Sequence, residues 1–137
     1  MLKIKKNEYG IPDQLPKEDV IRSMNADEKL DSLVSKFIFN VKEERPSIHY
    51  STDELALWMV KTQMAGKGWQ FDEMPGYAGF VGYPLELMLK NIAFYKDIDG
   101  DLDIVRVEVD PPSGGIAEAT CKAALIAILH DMERSNN

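Results

Sequence analysis

The stretch PLELMLKNIAFYKD, residues 84–97, can be laid out in two ways. Leu85, Met88, Leu89 and Ile92 fall at helical spacing, and Pro84 suits a first helical turn. Met88, Lys90, Ile92 and Phe94 instead fall at period two, along a strand face with one charged member. We read the stretch as a strand, with the helix as the alternative, because its neighbour downstream is a strand. LDIVRVEVD at 102–110 alternates Ile104, Arg106 and Glu108 against Val105, Val107 and Val109, and is the clearest strand in the chain. It is the natural hairpin partner of 84–97.

Asp99-Gly100, between the two, is the dipeptide of a tight hairpin turn. The same acidic run also resembles part of a calcium loop. Asp97, Asp99, Asp101 and Glu108 fall at positions 1, 3, 5 and 12 of an EF-hand. Position 6, which needs glycine for the sharp bend, is Leu102, and valine alternation comes next where a helix would start. The turn is the reading adopted, with no metal expected and these four acids as the alternative cation set.

Upstream, WQFDEM at 69–74 puts Trp69 and Phe71 on one face of another strand. PG at 75–76 turns the chain, and YAGFVGY at 77–83 reads as a returning strand weakened by Gly79 and Gly82. Downstream, PPSGG at 111–115 breaks the pattern. Ser113, Gly114 and Gly115 then precede a helix and offer backbone N–H groups to an anion, although no Lys-Ser/Thr pair or longer glycine spacing accompanies them. A tight loop into the helix is the plainer reading. In that last helix, IAEATCKAALIAILHDM at 116–132, Ala117, Cys121, Ala124, Leu125 and Ile128 form the inner face, with Glu118, Lys122 and Glu133 outside.

Two further helices come first. Leu30, Leu33, Val34, Phe37 and Ile38 make one apolar stripe, with Asn25 and Glu28 as its capping box and an end near Asn40. The second begins at HYSTDE, residues 49–54, where His49, Ser51 and Asp53 suggest a hydrolase triad. Three such residues within five positions do not easily converge, whereas a triad is assembled from remote segments. Helix capping accounts for more: Ser51 as N-cap to Glu54, Glu54 reaching back, and Tyr50 packing on Leu55 as a staple. Leu55, Trp58, Met59 and Thr62 then form the inward stripe, and AGKG at 65–68 ends the helix.

The order predicts an α+β fold, an α-β-α layered sandwich with a mainly antiparallel sheet of three to five strands and three helices. A chain of 137 residues makes one domain, here 24–137, with 1–23 as an N-terminal arm that is loosely attached or docks elsewhere. One cysteine, Cys121, excludes an internal disulfide and, with two histidines, leaves little for a zinc site. No secretory signal or membrane span is legible, which suits a cytoplasmic protein. The net charge of −7 argues against phosphate neutralisation, so nucleic acid is not the expected partner.

Three blocks resemble the phage ABA sandwich domain family of small phage and prophage proteins from Gram-positive bacteria: LDSLVSKFIF at 30–39, YSTDELALWMVKTQM at 50–64 and AEATCKAALIAIL at 117–129. The family's glycine-tryptophan ending to the first helix is missing here, and 84–101 is longer than its usual connection. The resemblance implies an α-β-α fold and a phage or prophage origin in the host cytoplasm, and no reaction or cofactor. The expectation is a non-enzymatic accessory protein that binds a host or phage protein, or forms a homo-oligomer. The alternative is a sequestering protein acting against host defence, holding an anionic nucleotide at Ser113, Gly114 and Gly115 with Tyr77 or Tyr83 stacked on it. An enzyme using His49 ranks last.

Overall fold

The computed structural model describes residues 14–41, 48–75, 89–109 and 115–135. Within 84–97 the strand prevails from Leu89 onward. Strand β2 (Leu89–Ile98) pairs antiparallel with β3 (Asp101–Glu108), setting Ile92 opposite Val107 and Phe94 opposite Val105. Asp99 and Gly100 join them with φ of 52° and 93°. Positive φ at both central residues is the primed turn whose twist matches that of the flanking strands. The Asp97 carboxylate completes the turn by accepting from the Gly100 N–H at 2.8 Å.

Strand β1 (Gln70–Pro75) pairs antiparallel with the other side of β2, giving the sheet order β1-β2-β3. Alternation sends Phe71, Ile92, Phe94, Val105 and Val107 to one face, where the Phe71 and Phe94 rings meet edge-on at 5.2 Å. The opposite face carries Gln70, Asp72, Ile104 and Arg106, all exposed. This is the expected α+β arrangement of helices packed on an antiparallel sheet.

Helix α4 (Gly115–Ser135) lies against β2 and β3 and is the centre of the molecule. Every residue from Ala119 to Ile128 is buried. Apart from Thr120 and Lys122 that stretch is apolar all round, as suits a helix buried on every side, and its alanines keep it thin enough for others to close on it. Three helices do so: α1 (Glu18–Ser23), α2 (Glu28–Leu33) and α3 (Leu57–Gly66). The first of these lies in the segment expected to be an arm. Leu15 and Ile21 are core residues, so 14–23 belong to the folded domain, while 1–13 lie outside the described residues.

Helix α2 is capped two residues later than its sequence suggests. Asp27 accepts from the N–H groups of Lys29 at 3.0 Å and Leu30 at 3.4 Å. It continues into a π-helical turn, Val34–Ile38, and Asn40 ends it at φ 57°. Leu30, Leu33, Val34 and Ile38 are buried as expected. Lys122, assigned to the outside of α4, is buried: its ammonium donates to the Arg22 carbonyl at 3.0 Å and pairs with Glu118 at 3.2 Å.

Candidate functional site

The entry to α3 is built differently from the sequence expectation. Ser51 is wholly buried, its Oγ has no hydrogen-bond partner, and its N–H donates to Asp31 Oδ1 at 2.7 Å. Asp53 is the cap: its carboxylate accepts from the Leu55 N–H at 2.9 Å, opening a 3-10 turn at Glu54–Ala56 that leads into α3. Tyr50 is buried and stacks on Phe39 at 5.1 Å, while Leu55 is 81% exposed, so no staple joins them. Asp53 is therefore occupied in capping. His49 is an exposed ring whose Nδ1 stands 3.7 Å from the buried Asp31 carboxylate. Remote residues, Asp31 with His49 and Ser51, do meet, but a buried hydroxyl offers no face to a substrate.

The inward face of α3 is Leu57, Val60 and Met64, preceded by Ala56. Of the stripe expected to be inside, Met59 packs against the core, whereas Leu55, Trp58 and Thr62 point out; Trp58 is 65% exposed. The segment is apolar on both sides, so periodicity alone does not choose, and burial is decided by the contacts of α3 with α4 and β1. One turn further on, Lys61, Thr62 and Ala65 line an open groove of about 560 Å³ together with Trp69 and Phe71 of the β1 segment. Lys61 lies over the Phe71 ring at 4.1 Å and pairs with Glu73 at 3.3 Å. Within α3, residues 58, 62 and 65 recur at helical spacing, so Trp58 shares the face that carries Thr62 and Ala65, while Leu55 precedes it in the 3-10 turn.

A second cluster gathers residues that are far apart in sequence. His130 Nε2 is 3.1 Å from Glu18 Oε1, and its Nδ1 is 3.1 Å from both oxygens of Asp103. Arg134 bonds both Asp103 and Asp131, and Asp131 also accepts from Trp69 Nε1 at 2.8 Å and Lys96 at 3.1 Å. Burial disfavours the charged imidazole, but the hydrogen bonds to Glu18 and Asp103 outweigh it and raise its pKa above the usual 6.5. The bond from His130 lowers that of Glu18, assisted by Arg22 against some burial. For Asp131 burial works upward, and its bonds to Trp69, Lys96 and Arg134 bring it below its ordinary value. No sequence pattern pointed to His130 having partners.

Of the other residues that the sequence suggests, Asp97, Asp99 and Asp101 surround the hairpin turn, whereas Glu108 pairs with Asn91 at the far end of β3. Six ladder positions separate Glu108 from Leu102, the partner of Asp97, which is roughly 20 Å. The four acids therefore do not converge. Gly115 opens α4 with φ 56°; Ser113, Gly114, Tyr77 and Tyr83 lie outside the described residues. Cys121 is buried, and burial together with Asp31 and Glu118 pushes its thiol far up, as suits a small core hydrophobe. Among the described residues no group of three or more His, Cys, Asp or Glu is placed to hold a metal ion, and no helix is long and apolar enough to cross a membrane.

Comparison with family models, with curated proteins and with solved structures gives no match.

Proposed function

We propose that this chain is a phage or prophage accessory protein that acts in the host cytoplasm by binding a host or phage protein, without chemistry of its own, and that Leu55 and Trp58 are the centre of the contact. One observation carries the reading: two large apolar side chains at the entry to α3, three residues apart, are 81% and 65% exposed. Tryptophan is among the residues enriched at the energetic hot spots of protein interfaces, and covering a leucine of this kind contributes about 1.5–3 kcal/mol. The acidic side chains of Asp53 and Glu54, both exposed, rim the patch and favour a partner surface that brings lysine or arginine to it. The likeness of blocks 30–39, 50–64 and 117–129 to the phage ABA sandwich family supplies the biological setting.

The test compares the wild-type chain with a Leu55→Ala/Trp58→Ala double variant in crosslinked capture from infected and uninfected host cells. A partner held by the wild type and lost by the double variant supports the reading. Equal capture by both, or a nucleotide released by heat from the purified chain in place of any protein, contradicts it. Concentration-dependent light scattering identifies the case in which the partner is a second copy.

A further inference from the structure

We propose that Glu18, His130 and Asp103 form a proton-operated clasp that holds α1 on the domain and releases it as pH rises. The geometry is the first argument. Each ring nitrogen of His130 faces a carboxylate at 3.1 Å, Glu18 on one side and Asp103 on the other. Carboxylates only accept, so the two contacts together need two N–H donors, which the imidazolium has and the neutral ring lacks. Losing the proton turns one of them into a lone pair facing a negative oxygen.

The second argument is how little else holds α1. It has six residues, too few to stay helical without packing. Among the described residues its attachments are the core residues Leu15 and Ile21, the Arg22 guanidinium on the Arg106 carbonyl at 2.8 Å, Lys122 on the Arg22 carbonyl, and the Glu18–His130 pair. The charged groups around the ring are Glu18 and Arg22 from α1, Asp103 from β3, Lys96 from β2, and Asp131 and Arg134 from α4 itself. Arg134 joins Asp103 to Asp131, and Lys96 is taken up by Asp131. Glu18 thus depends on His130 for its link to α4, since Arg22 belongs to its own helix. Arg134 stays charged at every pH of interest, which leaves His130 as the group that titrates. Release uncovers Ile21 and the side of α4 beneath it, an apolar surface distinct from Leu55 and Trp58.

Linkage gives the sign. Docked His130 binds its proton more tightly than free histidine, so docking gains most below about pH 6.5 and loses that gain as pH rises through the higher docked value. The test is hydrogen exchange of residues 14–23 across pH 5.5–9, corrected for intrinsic rates, with His130 tracked by NMR titration in the same samples. Opening should increase with pH, by about tenfold for each pH step by which docking raises the His130 titration point. Glu18→Gln, an isosteric change at a half-buried position, should lower that titration point and flatten the pH dependence. A His130 that titrates at or below 6.5, or exchange of 14–23 that stays independent of pH, would overturn the proposal. The wild-type titration decides even where a His130→Gln variant does not fold.

Discussion

Ser51 and Asp53, two positions apart, carry opposite energetic roles. The Ser51 hydroxyl is buried without a partner, so removing it removes a desolvated group and costs little. Ser51→Ala should leave stability unchanged or slightly raised in urea melts. Asp53→Ala removes the cap on the Leu55 N–H and should cost about 1 kcal/mol. The opposite ranking would contradict the structure of this turn. Gly68 makes a third residue-scale case. Its φ is 92°, and an added Cβ would stand 2.9 Å from Lys96 Cε. The lysine stem can yield, but the left-handed backbone cannot, so Gly68→Ala should cost about 1–2 kcal/mol by thermal melting, and a further Lys96→Ala should recover little of it. At this scale the sequence misleads for a physical reason. Serine, threonine and aspartate all cap helices, and only the tertiary acceptor, Asp31, decides that the Ser51 N–H is already engaged and that Asp53 closes the turn.

Period two in β3, and the Asp99-Gly100 turn before it, made the β2–β3 hairpin legible from residues alone, because both signals are local. The stripe on α3 was not, since Leu55, Leu57, Trp58 and Val60 surround that helix with apolar side chains and only packing picks a side. Helix α1 was missed because six residues show less than two turns of pattern. The candidate site divides in the same way. Leu55 and Trp58 stand out in the sequence but with the inward face assigned to them, while Glu18, Asp103 and His130 share no segment and so leave no motif. Element attachment has a pH signature that checks the charge network. Glu18 and Asp131 have lowered pKa values, so their contribution is complete above about 4.5 and is lost as pH falls through the folded values. His130 is raised, so its contribution is complete below about 6.5 and is lost as pH rises. Stability by chemical denaturation should therefore peak between these limits and decline on both sides. A continued rise to pH 9 would contradict the His130 contacts.

At the largest scale, the described residues form a three-stranded antiparallel sheet with helices on it and α4 at the centre, flanked by α1, α2 and α3. Because α4 is buried on every side from Ala119 to Ile128, a cavity there has no easy way to collapse: Leu125→Ala should cost about 2–5 kcal/mol. Leu55 and Trp58 stand outside that core, and replacing both by alanine should change stability by less than about 0.5 kcal/mol each. That contrast makes the proposed interaction testable without confusion from misfolding. The most direct measurement is quantitative capture from infected cells with wild type and Leu55→Ala/Trp58→Ala side by side, after both show the same melting temperature. We expect a host or phage protein recovered with the wild type and reduced about tenfold or more with the double variant, the loss that about 1.4 kcal/mol produces. Equal recovery of every protein with the two chains would contradict the account.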